Sequence, residues 1–389
     1  MDHQAVDHRA MGPWSGRAAD AEEAIARRHL RRLWQLPGTR LGVVGWPPTP
    51  RDRIFGSWHY WWQAHLLDTL VDAQQRDPRP GRITAIRRQI RGHQTRNLGR
   101  WTNSYYDDMA WLALALERAG RLTGVHKPQA LRTLAAELTD SWMPEAGGGI
   151  PWRKQDRFFN APANGPAGIF LARYPGGLPR ARQMADWIDA TLIDPDTGLV
   201  FDGIKGGSLV RAQYTYCQGV VVGLETELAV RTGDSRHSRR VHRLVAAIGE
   251  HMAPHGVLTG AGGGDGGLFA GITARYLALA ARDLPGAAGA DEQTRRAARR
   301  IVLESARAAW ANRCSVAGLP LFGAFWDHET YPPDTAGQRA RKADGAVYGS
   351  AAPERDLSVQ VSGWMLMEAA HTLDRPFADP SRVNGGKAD

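Results

Sequence analysis

The sequence predicts an all-α protein in which helical hairpins follow one another around a ring. Apolar residues recur at three- and four-residue spacing in about twelve segments, whereas alternating strand patterns are almost absent. Several of these segments end in glycine, for example at Gly124 and Gly233, where a left-handed residue caps a helix well. The helices therefore pair, at roughly fifty to sixty residues per pair, and helical pairs in series favour an α/α toroid over a compact bundle.

Each predicted helix takes its bounds from this periodicity. The segments are 20–36, 56–76, 83–97, 104–119, 127–142, 159–174, 178–192, 213–232, 237–253, 266–283, 291–313 and 356–373. We expect them to form a single domain at 20–375, flanked by loose tails at 1–19 and 376–389. The polar stretch 327–355 is a long loop, which we interpret as a flap over one end of the ring.

The net charge of the chain and the placement of its basic residues restrict the kinds of molecule that it is expected to bind. The 389-residue chain carries a net charge of +9, and nearly all of its basic residues are arginines. They recur at helical spacing without interleaved aromatic residues or a known DNA-reading pattern, so they indicate a solvated outer face rather than nucleic-acid binding. The same excess is compatible with weak attraction to an anionic membrane surface.

The cysteine pattern and the shortness of the apolar runs argue against several other classes of protein. The two cysteines, Cys217 and Cys314, are far apart and unpatterned, which argues against a disulfide framework and against a zinc site. No apolar run approaches the length of a membrane span, and the N-terminal residues have no signal-peptide core. We expect a monomeric, cytoplasmic protein that uses no metal and no cofactor.

Two adjacent carboxylates, Asp107 and Asp108, open the predicted helix 104–119. One interpretation is helix capping, because a serine lies three residues before Asp107 and acidic residues suit a helix N-terminus. Capping does not explain Asp108, since a second adjacent charge adds repulsion and aspartate is a poor helix former. Nor does it explain the aromatic neighbours Tyr105, Tyr106 and Trp111, so the pair is also a candidate catalytic site.

Two carboxyl groups flanked by aromatic rings suit the cleavage of a glycosidic bond. One group protonates the leaving oxygen, and the other meets the positive charge that develops at the anomeric carbon. Carboxyls about 5–5.5 Å apart allow direct attack with retention of configuration. Repulsion and burial would raise the pKa of one carboxyl and keep it protonated near neutral pH. The 14 tryptophans offer flat faces for stacking on sugar rings, although most are expected in the core.

Further motifs resemble, in the same order, those of the glycoside hydrolase family 76 α-1,6-mannanases. The matching pieces are Asp107-Asp108 with Trp111, GGGI at 147–150 with Trp152, NA at 160–161, NG at 164–165, LVFDG at 199–203, TYCQGV at 215–220, TGD at 232–234, FAGI at 269–272 with Arg275-Tyr276, WAN at 310–312, and Phe325-Trp326. The resemblance spans residues 55–370. It implies an (α/α)6 toroid that cleaves α-1,6-mannosidic linkages in mannan-type glycans or mannosylated lipids.

The resemblance also implies roles for individual residues. Asp107 is the nucleophile that forms a mannosyl-enzyme, and Asp108 is the acid/base of a retaining double displacement, expected to be endo-acting. The candidate substrate-binding residues are Tyr105, Tyr106, Trp58, Trp152, Asn160, Asn164, Asp202, Tyr216, Gln218 and Asp265. Trp61 and Trp62 are further candidate stacking platforms. For Asn160, Asn164, Asp202, Tyr216 and Gln218, the alternative is a hydrogen bond within a loop or helix cap.

Three departures from the family pattern bear on the substrate rather than on the acid pair. Ala270 stands where the family has lysine, Cys217 stands where it has asparagine, and Pro151 interrupts the GGGI-aromatic motif. Other classes therefore stay open, namely another toroid sugar enzyme (an epimerase or an unsaturated glucuronyl hydrolase) or a catalytically degenerate mannan-binding protein. An epimerase would need paired histidines, and the sequence offers His59, His251 and His255 without a recognisable pattern.

Overall fold

The computed structural model describes residues 13–333, 341–343, 346–348 and 350–374. The α-helices of these residues are α1 (Pro13–Arg28), α2 (Pro50–Arg53), α3 (Tyr60–Arg76), α4 (Pro80–Arg96), α5 (Tyr106–Thr123), α6 (Pro128–Asp140), α7 (Ala161–Arg173), α8 (Leu178–Thr191), α9 (Thr215–Thr232), α10 (Ser235–Ala247), α11 (Phe269–Asp283), α12 (Gly289–Ala311) and α13 (Leu357–Asp374). Short 3-10 turns lie at Leu33–Gln35, Pro144–Ala146, Gly264–Leu268 and Pro353–Arg355, and a π-turn at Ile248–Met252 extends α10.

The strands of the described residues are short and lie between helices. They are β1 (Leu30–Arg31), β2 (Leu41–Gly42), β3 (Phe158–Asn160), β4 (Gly203–Lys205), β5 (Ser208–Val210), β6 (Cys314–Val316), β7 (Leu319–Leu321), β8 (Arg341–Ala343) and β9 (Ala346–Tyr348). All pair antiparallel: β3, β4 and β5 form one sheet in that order, and the others form two-stranded ribbons. They shape loops rather than a sheet core.

Six helices form an inner ring. Helices α3, α5, α7, α9, α11 and α13 each pack against the next, and α13 packs against α3 to close the circle. Their buried residues cover all sides, and in α7 only the last residue is not buried. Helices α1, α4, α6, α8, α10 and α12 pack outside the ring and bury one face each, as α10 does with its i, i+4, i+7 stripe. The predicted (α/α)6 toroid is confirmed.

Glycine permits the close approach of neighbouring inner helices. A Cβ on Gly223 of α9 would lie 2.4 Å from the ring of Tyr276 on α11. A Cβ on Gly271 of α11 would lie 2.6 Å from the hydroxyl of Ser362 on α13, which accepts a 3.0 Å hydrogen bond from the Gly271 amide. Neither position has room for a larger residue, so both belong to the packing of the ring.

The two ends of the ring differ. Helices alternate between the inner and outer layers, so the inner helices all begin at one end, which we call the mouth. The connections there are long (29–59, 97–105, 141–160, 192–214, 248–268 and 312–356), whereas those at the far end are short (77–79, 124–127, 174–177, 233–234 and 284–288). Contacts agree with this direction, because Trp61 and Trp62 at the start of α3 bond to Asp265 just before α11. Long loops above a rigid scaffold are where binding sites form.

The far end is held by buried ion pairs. Asp68 and Asp72 of α3 each accept hydrogen bonds from Arg118 of α5 and from Arg275 of α11. Partly buried charges of opposite sign thus join three inner helices. Removing one member of such a group would leave a buried charge without compensation.

The N-terminal helix differs from its predicted bounds. Helix α1 begins at Pro13, a residue favoured at a first helical position, and ends at Arg28, rather than spanning 20–36. Residues 13–19 therefore belong to the ring and not to a loose tail, because Trp14 and Ala18 are buried against α13 and its neighbours. Apolar residues after Arg28 belong to loop packing, with Trp34 in a left-handed conformation at φ 46°.

Several predictions extend beyond the described residues. The tail predictions for 1–12 and 376–389 lie outside them, and the proposed flap at 327–355 is described only in part. None of the helices in the described ranges has the length and apolar character needed to cross a bilayer.

Candidate active site

The acid pair lies at the mouth of the ring. Asp107 and Asp108 occupy the first turn of α5, and both are half-buried. The N-cap residue is Tyr105, and no side-chain cap forms there, so the predicted capping box of Ser104 is absent. The amide of Tyr106 instead donates to the carbonyl of Trp152 at 2.8 Å. The predicted capping box therefore does not account for the pair.

Asp107 is held at both carboxylate oxygens. The indole N–H of Trp152 donates to Oδ2 at 2.9 Å, and the amide of Asp108 donates to Oδ1 at 2.8 Å. Burial raises the pKa of Asp107 to about 7, these two donors oppose the rise, and the charge of Asp265 adds to it. Asp107 is thus a fixed carboxyl that titrates near neutral pH.

Asp108 has a separate support that the sequence did not reveal. The side-chain amide of Asn103 donates to Oδ2 of Asp108 at 2.5 Å, and Asn103 Oδ1 accepts from the amide of Tyr105 at 2.9 Å. Asn103 is therefore fixed by the main chain and orients Asp108. The nearby Tyr60 hydroxyl donates to the carbonyl of Trp101 at 2.5 Å, and its pKa is raised by burial and by the charge of Asp108.

A third carboxylate faces the pair from the opposite side of the mouth. Asp265 lies in the turn Gly264–Leu268 before α11, and its Oδ1 accepts from the indole N–H groups of Trp61 at 3.0 Å and Trp62 at 2.8 Å. Its effect on the pKa of Asp107 shows that the two groups share one electrostatic environment. The predicted site residue Asp265 is therefore brought to the acid pair.

Asp202 and Tyr216 complete the group. Burial raises the pKa of Asp202 to about 7, and the thiol of Cys217 lies 4.0 Å from its Oδ1. The ring of Tyr216 stacks on Phe269 with centroids 4.0 Å apart. Burial raises the pKa of Tyr216, and the charges of Cys217, Asp202, Asp107 and Asp265 raise it further, so its hydroxyl remains protonated among three carboxylates.

Aromatic rings line the space around these carboxylates. Trp61 lies 6.4 Å from Tyr216 and 6.5 Å from Trp111, measured between ring centroids. Tyr105 packs edge-on against Trp152 at 5.3 Å. Flat rings beside hydroxyl-binding groups are a common arrangement for holding sugars.

Two predicted aromatic residues, Trp58 and Tyr106, have neighbours other than the acid pair. Trp58 packs against His93 at 5.0 Å and beneath the guanidinium of Arg96 at 5.3 Å, beside a small separate apolar cluster. The pKa of Tyr106 is raised by burial, and the charges that act on it are those of Lys154 and Glu137, which form a 2.8 Å ion pair. These contacts give both residues a packing role, and their roles as substrate contacts stay predictions.

Three predicted polar residues bind the main chain instead. Asn164 is fully buried and bonds to both main-chain polar groups of Ile150, and Gln218 does the same with Val200. Asn160 caps α7 by accepting from the amide of Ala163 at 3.2 Å. The alternative considered for these residues, a loop or cap hydrogen bond, is what the structure shows, because their buried oxygens are already satisfied. They position the loops that carry Trp152 and Asp202.

The histidines His59 and His251 lie in different surroundings. His59 packs against Trp62 at 4.3 Å, whereas His251 lies 3.9 Å from Glu250 in the π-turn. His65, close to Trp111 at 4.4 Å, has its pKa lowered to about 3 by burial and by Arg275. Within the described residues, no group of three or more histidine, cysteine or acidic side chains could hold a metal ion. The charged groups that act together on Tyr216 at the mouth include three carboxylates.

A cavity of substantial volume lies away from the acid pair. About 570 Å³ in volume, it opens at the far end of the ring and is lined by Asp68, Asp72, Arg118 and Arg275 among others. Its charged groups are engaged with one another, as described above. The mouth has a fixed carboxyl of raised pKa, a second adjacent carboxyl and aromatic faces, which is the combination that acid/base and nucleophilic chemistry needs.

Comparison with known proteins identifies relatives of this chain. The family model described as glycosyl hydrolase family 76 matches residues 17–354. The GH76A α-1,6-mannanase from Salegentibacter sp. HEL1_6 is 29% identical, with a TM-score of 0.75 over 92% of this chain and 99% of that one. A structure of its inactive variant, with two adjacent aspartates replaced by asparagine and with bound α-1,6-mannotriose, is 28% identical and has a TM-score of 0.76 over the same shares.

A more distant structure shares the fold. The Lin0763 protein from Listeria innocua is 24% identical, with a TM-score of 0.76 over 93% of this chain and 97% of that one. None of the curated proteins compared with the chain matches it. The family model covers most of the chain, including the acid pair and the loops of the mouth, and the resemblance seen in the sequence motifs is confirmed. The chain belongs to glycosyl hydrolase family 76 and is a glycosidase.

Proposed function

We propose that this glycosidase hydrolyses α-1,6-mannosidic linkages in mannan-type glycans, by a retaining double displacement. The observation that carries the proposal is the pair Asp107 and Asp108 at the mouth, each fixed by its own amide or indole donor. Two structures of one solved relative support it, because that relative is an α-1,6-mannanase and its inactive double asparagine variant holds α-1,6-mannotriose.

In the first step, an oxygen of Asp107 attacks the anomeric carbon of the mannosyl unit. The bond from that carbon to the leaving oxygen breaks, and Asp108 gives its proton to the leaving oxygen. In the second step, Asp108 takes a proton from water, the water oxygen bonds to the anomeric carbon, and the bond to Asp107 breaks. Two inversions at one carbon give overall retention.

The supports of the two carboxyls fit these roles. Asp107 is gripped at both oxygens by N–H groups, which fixes its direction of attack and favours its ionised form. Partial desolvation leaves it more basic than an exposed carboxylate, and a more basic carboxylate is a better nucleophile. Asp108 is oriented by the hydrogen bond that Asn103 donates to its Oδ2, which suits a group that transfers a proton.

The surrounding groups supply substrate binding. Tyr216 keeps a protonated hydroxyl that donates to a sugar oxygen, while Asp202 and Asp265 accept from sugar hydroxyls. Trp61, Trp152 and Tyr105 provide ring faces for the apolar side of a pyranose. Asp202 spends part of its time protonated near pH 7, so it serves as donor or acceptor.

The deciding experiment is turnover of linear α-1,6-mannooligosaccharides by the purified chain. We expect shorter oligosaccharides whose new reducing ends first appear as the α-anomer, followed by NMR. Oligosaccharides with α-1,2 or α-1,3 linkages are the matched controls and should stay intact. Binding of the α-1,6 substrate without turnover would select the catalytically degenerate alternative, and a β-anomer first would rule out the retaining mechanism.

A further inference from the structure

One flank of the ring carries an unusual surplus of positive charge. This basic flank comprises segments 30–40, 51–56 and 87–100, from the first long loop of the mouth and from the second half of α4. Its ten arginines are Arg31, Arg32, Arg40, Arg51, Arg53, Arg87, Arg88, Arg91, Arg96 and Arg100, and its single acid is Asp52. Asp52 is occupied by the cap of α2, where it accepts from the amide and hydroxyl of Thr49.

Several arginines on the other outer helices pair with carboxylates. Among the described residues, none of the ten has a carboxylate within ion-pairing distance. On α10 and α12, by contrast, Arg240 pairs with Asp189 at 2.9 Å and Arg295 pairs with Glu292 at 3.0 Å. A solvent-exposed helix face normally carries acidic and basic residues side by side. The basic flank carries almost only basic residues, so it produces a positive electrostatic potential on one side of the ring.

The basic flank contains a cavity whose charged lining residues are all positive. A cavity of about 440 Å³ is lined by four arginines, Arg31, Arg32, Arg40 and Arg88, together with Leu30 and the turn at residues 37–39. The amide of Arg40 donates to the carbonyl of Arg88 at 3.0 Å, which joins this turn to α4. Burial lowers the pKa of Arg40, and the charges of Arg88 and Arg31 lower it further, as expected where like charges crowd together.

Large apolar side chains project from the same flank. The exposed fractions are 45% for Trp34, 42% for Leu36, 64% for Ile54 and 81% for Leu98, which places these four among the most exposed apolar residues of the described chain. They belong to one surface, because the indole N–H of Trp34 donates to the carbonyl of Ile54 at 2.9 Å. Exposed apolar groups gathered in one place mark an interaction surface.

The backbone of the loops that carry these side chains is strained at four positions. Trp34, Gln35, Phe55 and Leu98 all have positive φ, between 46° and 61°, which residues with a Cβ rarely adopt. Arg96 braces the three loops, since its Nε donates to the carbonyl of Phe55 at 3.1 Å and its guanidinium lies 5.7 Å from the ring of Trp34. Backbone strain that persists in three adjacent loops indicates that the surface they form has a function.

We propose that the basic flank docks the protein on an anionic lipid bilayer. In this mode Trp34, Leu36, Ile54 and Leu98 enter the interfacial layer, and the arginine-lined cavity receives lipid phosphates. Interfacial binding depends on buried apolar area together with attraction of basic residues to acidic lipids, and the flank supplies both. The proposal goes beyond the glycosidase activity and does not depend on it.

Two other occupants fit less well. A second copy of the chain would set ten arginines against ten arginines across a twofold axis, with Asp52 as the single nearby acid of each copy. Single-stranded nucleic acid stacks on aromatic rings, whereas three of the four tips, Leu36, Ile54 and Leu98, are aliphatic. A bilayer satisfies the aliphatic tips and the arginines together.

The basic flank adjoins the mouth. Leu98 lies five residues before Asn103, the side chain that holds Asp108, and the intervening loop carries the carbonyl of Trp101 bound by Tyr60. Docking would therefore place the mouth beside the lipid surface. A glycan attached to that surface would be presented to the acid pair without leaving the membrane.

Sedimentation of the full chain with vesicles tests the proposal. We expect binding to phosphatidylcholine vesicles that contain phosphatidylglycerol, little binding to phosphatidylcholine alone, and weakening as salt is raised. The triple variant Arg31→Gln/Arg32→Gln/Arg88→Gln should lower the partition coefficient roughly hundredfold. Leu98→Ser should lower it as well, while hydrolysis of a soluble oligosaccharide and the melting temperature stay unchanged in both variants.

Matched controls come from the rest of the ring. Arg132→Gln/Arg239→Gln/Arg300→Gln removes the same net charge from exposed positions on α6, α10 and α12 and should bind nearly as the wild type does. Val230→Ser removes an apolar side chain that is 52% exposed near the far end and should have no effect.

Three outcomes would overturn the docking proposal. Equal losses in the two arginine triples would show a general charge effect. A dimer that Leu98→Ser dissociates, measured by light scattering, would assign the flank to a second copy. Binding of single-stranded DNA that requires Arg31, Arg32 and Arg88, without vesicle binding, would assign it to nucleic acid.

Discussion

The indole N–H of Trp152 donates to Oδ2 of Asp107 across 2.9 Å, although the two residues are 45 positions apart in the chain. Trp152 is itself placed by main-chain bonds, since its amide donates to the carbonyl of Phe158 at 2.7 Å and its carbonyl accepts from Tyr106. The loop 141–160 and the start of α5 therefore act as one unit. This relationship fixes the carboxyl that we propose as the nucleophile, and it leads to the first prediction.

Trp152→Phe should lower kcat by about ten- to hundredfold, the cost of a hydrogen bond to a charged group. The aromatic packing against Tyr105 and Phe158 is kept. Because the lost N–H favoured the ionised form of Asp107, the pKa of that carboxyl should rise, and the acidic limb of the pH profile should move to higher pH. Trp142→Phe, on an indole beside Arg180, is the control. An unchanged limb would show that Asp107 does not govern it.

Asp265→Asn should move the same limb in the opposite direction. The charge of Asp265 raises the pKa of Asp107, and asparagine removes that charge while its oxygen still accepts from Trp61 and Trp62. A nucleophile must be deprotonated, so kcat/KM of the wild type falls as pH falls through about 7, and in the variant this fall should occur at lower pH. Rate profiles of both proteins measure the shift.

Asp186→Asn is the matched control for that profile, since it removes a half-exposed charge on the outer helix α8. Loss of activity on the alkaline side of about 7, without an acidic limb, would instead make Asp107 the proton donor and reverse the two roles.

Asp202→Asn should trade activity for stability. The pKa of Asp202 lies at about 7 in the fold against 3.8 ordinarily, so the folded state binds the proton more tightly and the wild type loses stability as pH rises from about 4 to about 7. Asparagine has no such loss. Melting temperatures should therefore be higher for the variant at about pH 8 and alike below about pH 4, while turnover falls. A constant difference across the range would contradict the assignment.

The far end offers a test of stability alone. Arg275→Ala leaves Asp68 and Asp72 with Arg118 as their remaining partner, and it should lower the free energy of unfolding by about 3 kcal/mol. Arg296→Ala breaks an exposed pair with Glu292 and should cost within about 0.5 kcal/mol. Urea unfolding measures both. Equal small losses would mean that the network does not hold the ring.

How far the sequence predicts this site depends on the kind of information each residue carries. Helical periodicity predicts the inner ring, because helices buried on all sides still carry a dense apolar pattern. The adjacent charges of Asp107 and Asp108 at a helix start stand out because capping needs only one. The order of motifs then links the pair to Asp202, whereas Asp265 is a candidate from its glycine-rich loop alone. The charges of Asp107, Asp202 and Asp265 all act on Tyr216.

Other roles depend on contacts that residue type does not encode. Asn164 and Gln218 are polar residues in motif positions, yet the side-chain amide of each forms hydrogen bonds with a main-chain segment. Asn103 is as polar and holds Asp108, and nothing in its local pattern separates the three. Trp58 and Trp61 are only three positions apart in the sequence. The turn into α3 nevertheless directs Trp58 toward Arg96 and Trp61 toward Asp265. The predicted cytoplasmic location and monomeric state stay predictions.

The last prediction separates the two aspartates. Asp107→Asn and Asp108→Asn should each lower turnover by several orders of magnitude, while the melting temperature is unchanged or raised because repulsion between like charges is relieved. A substrate with a good leaving group needs little protonation, so it should partly restore the first step in Asp108→Asn and not in Asp107→Asn. Azide should then give a retained product with Asp108→Asn, and an inverted product with Asp107→Gly, where it replaces the missing nucleophile. Full activity in either asparagine variant would remove that residue from the mechanism.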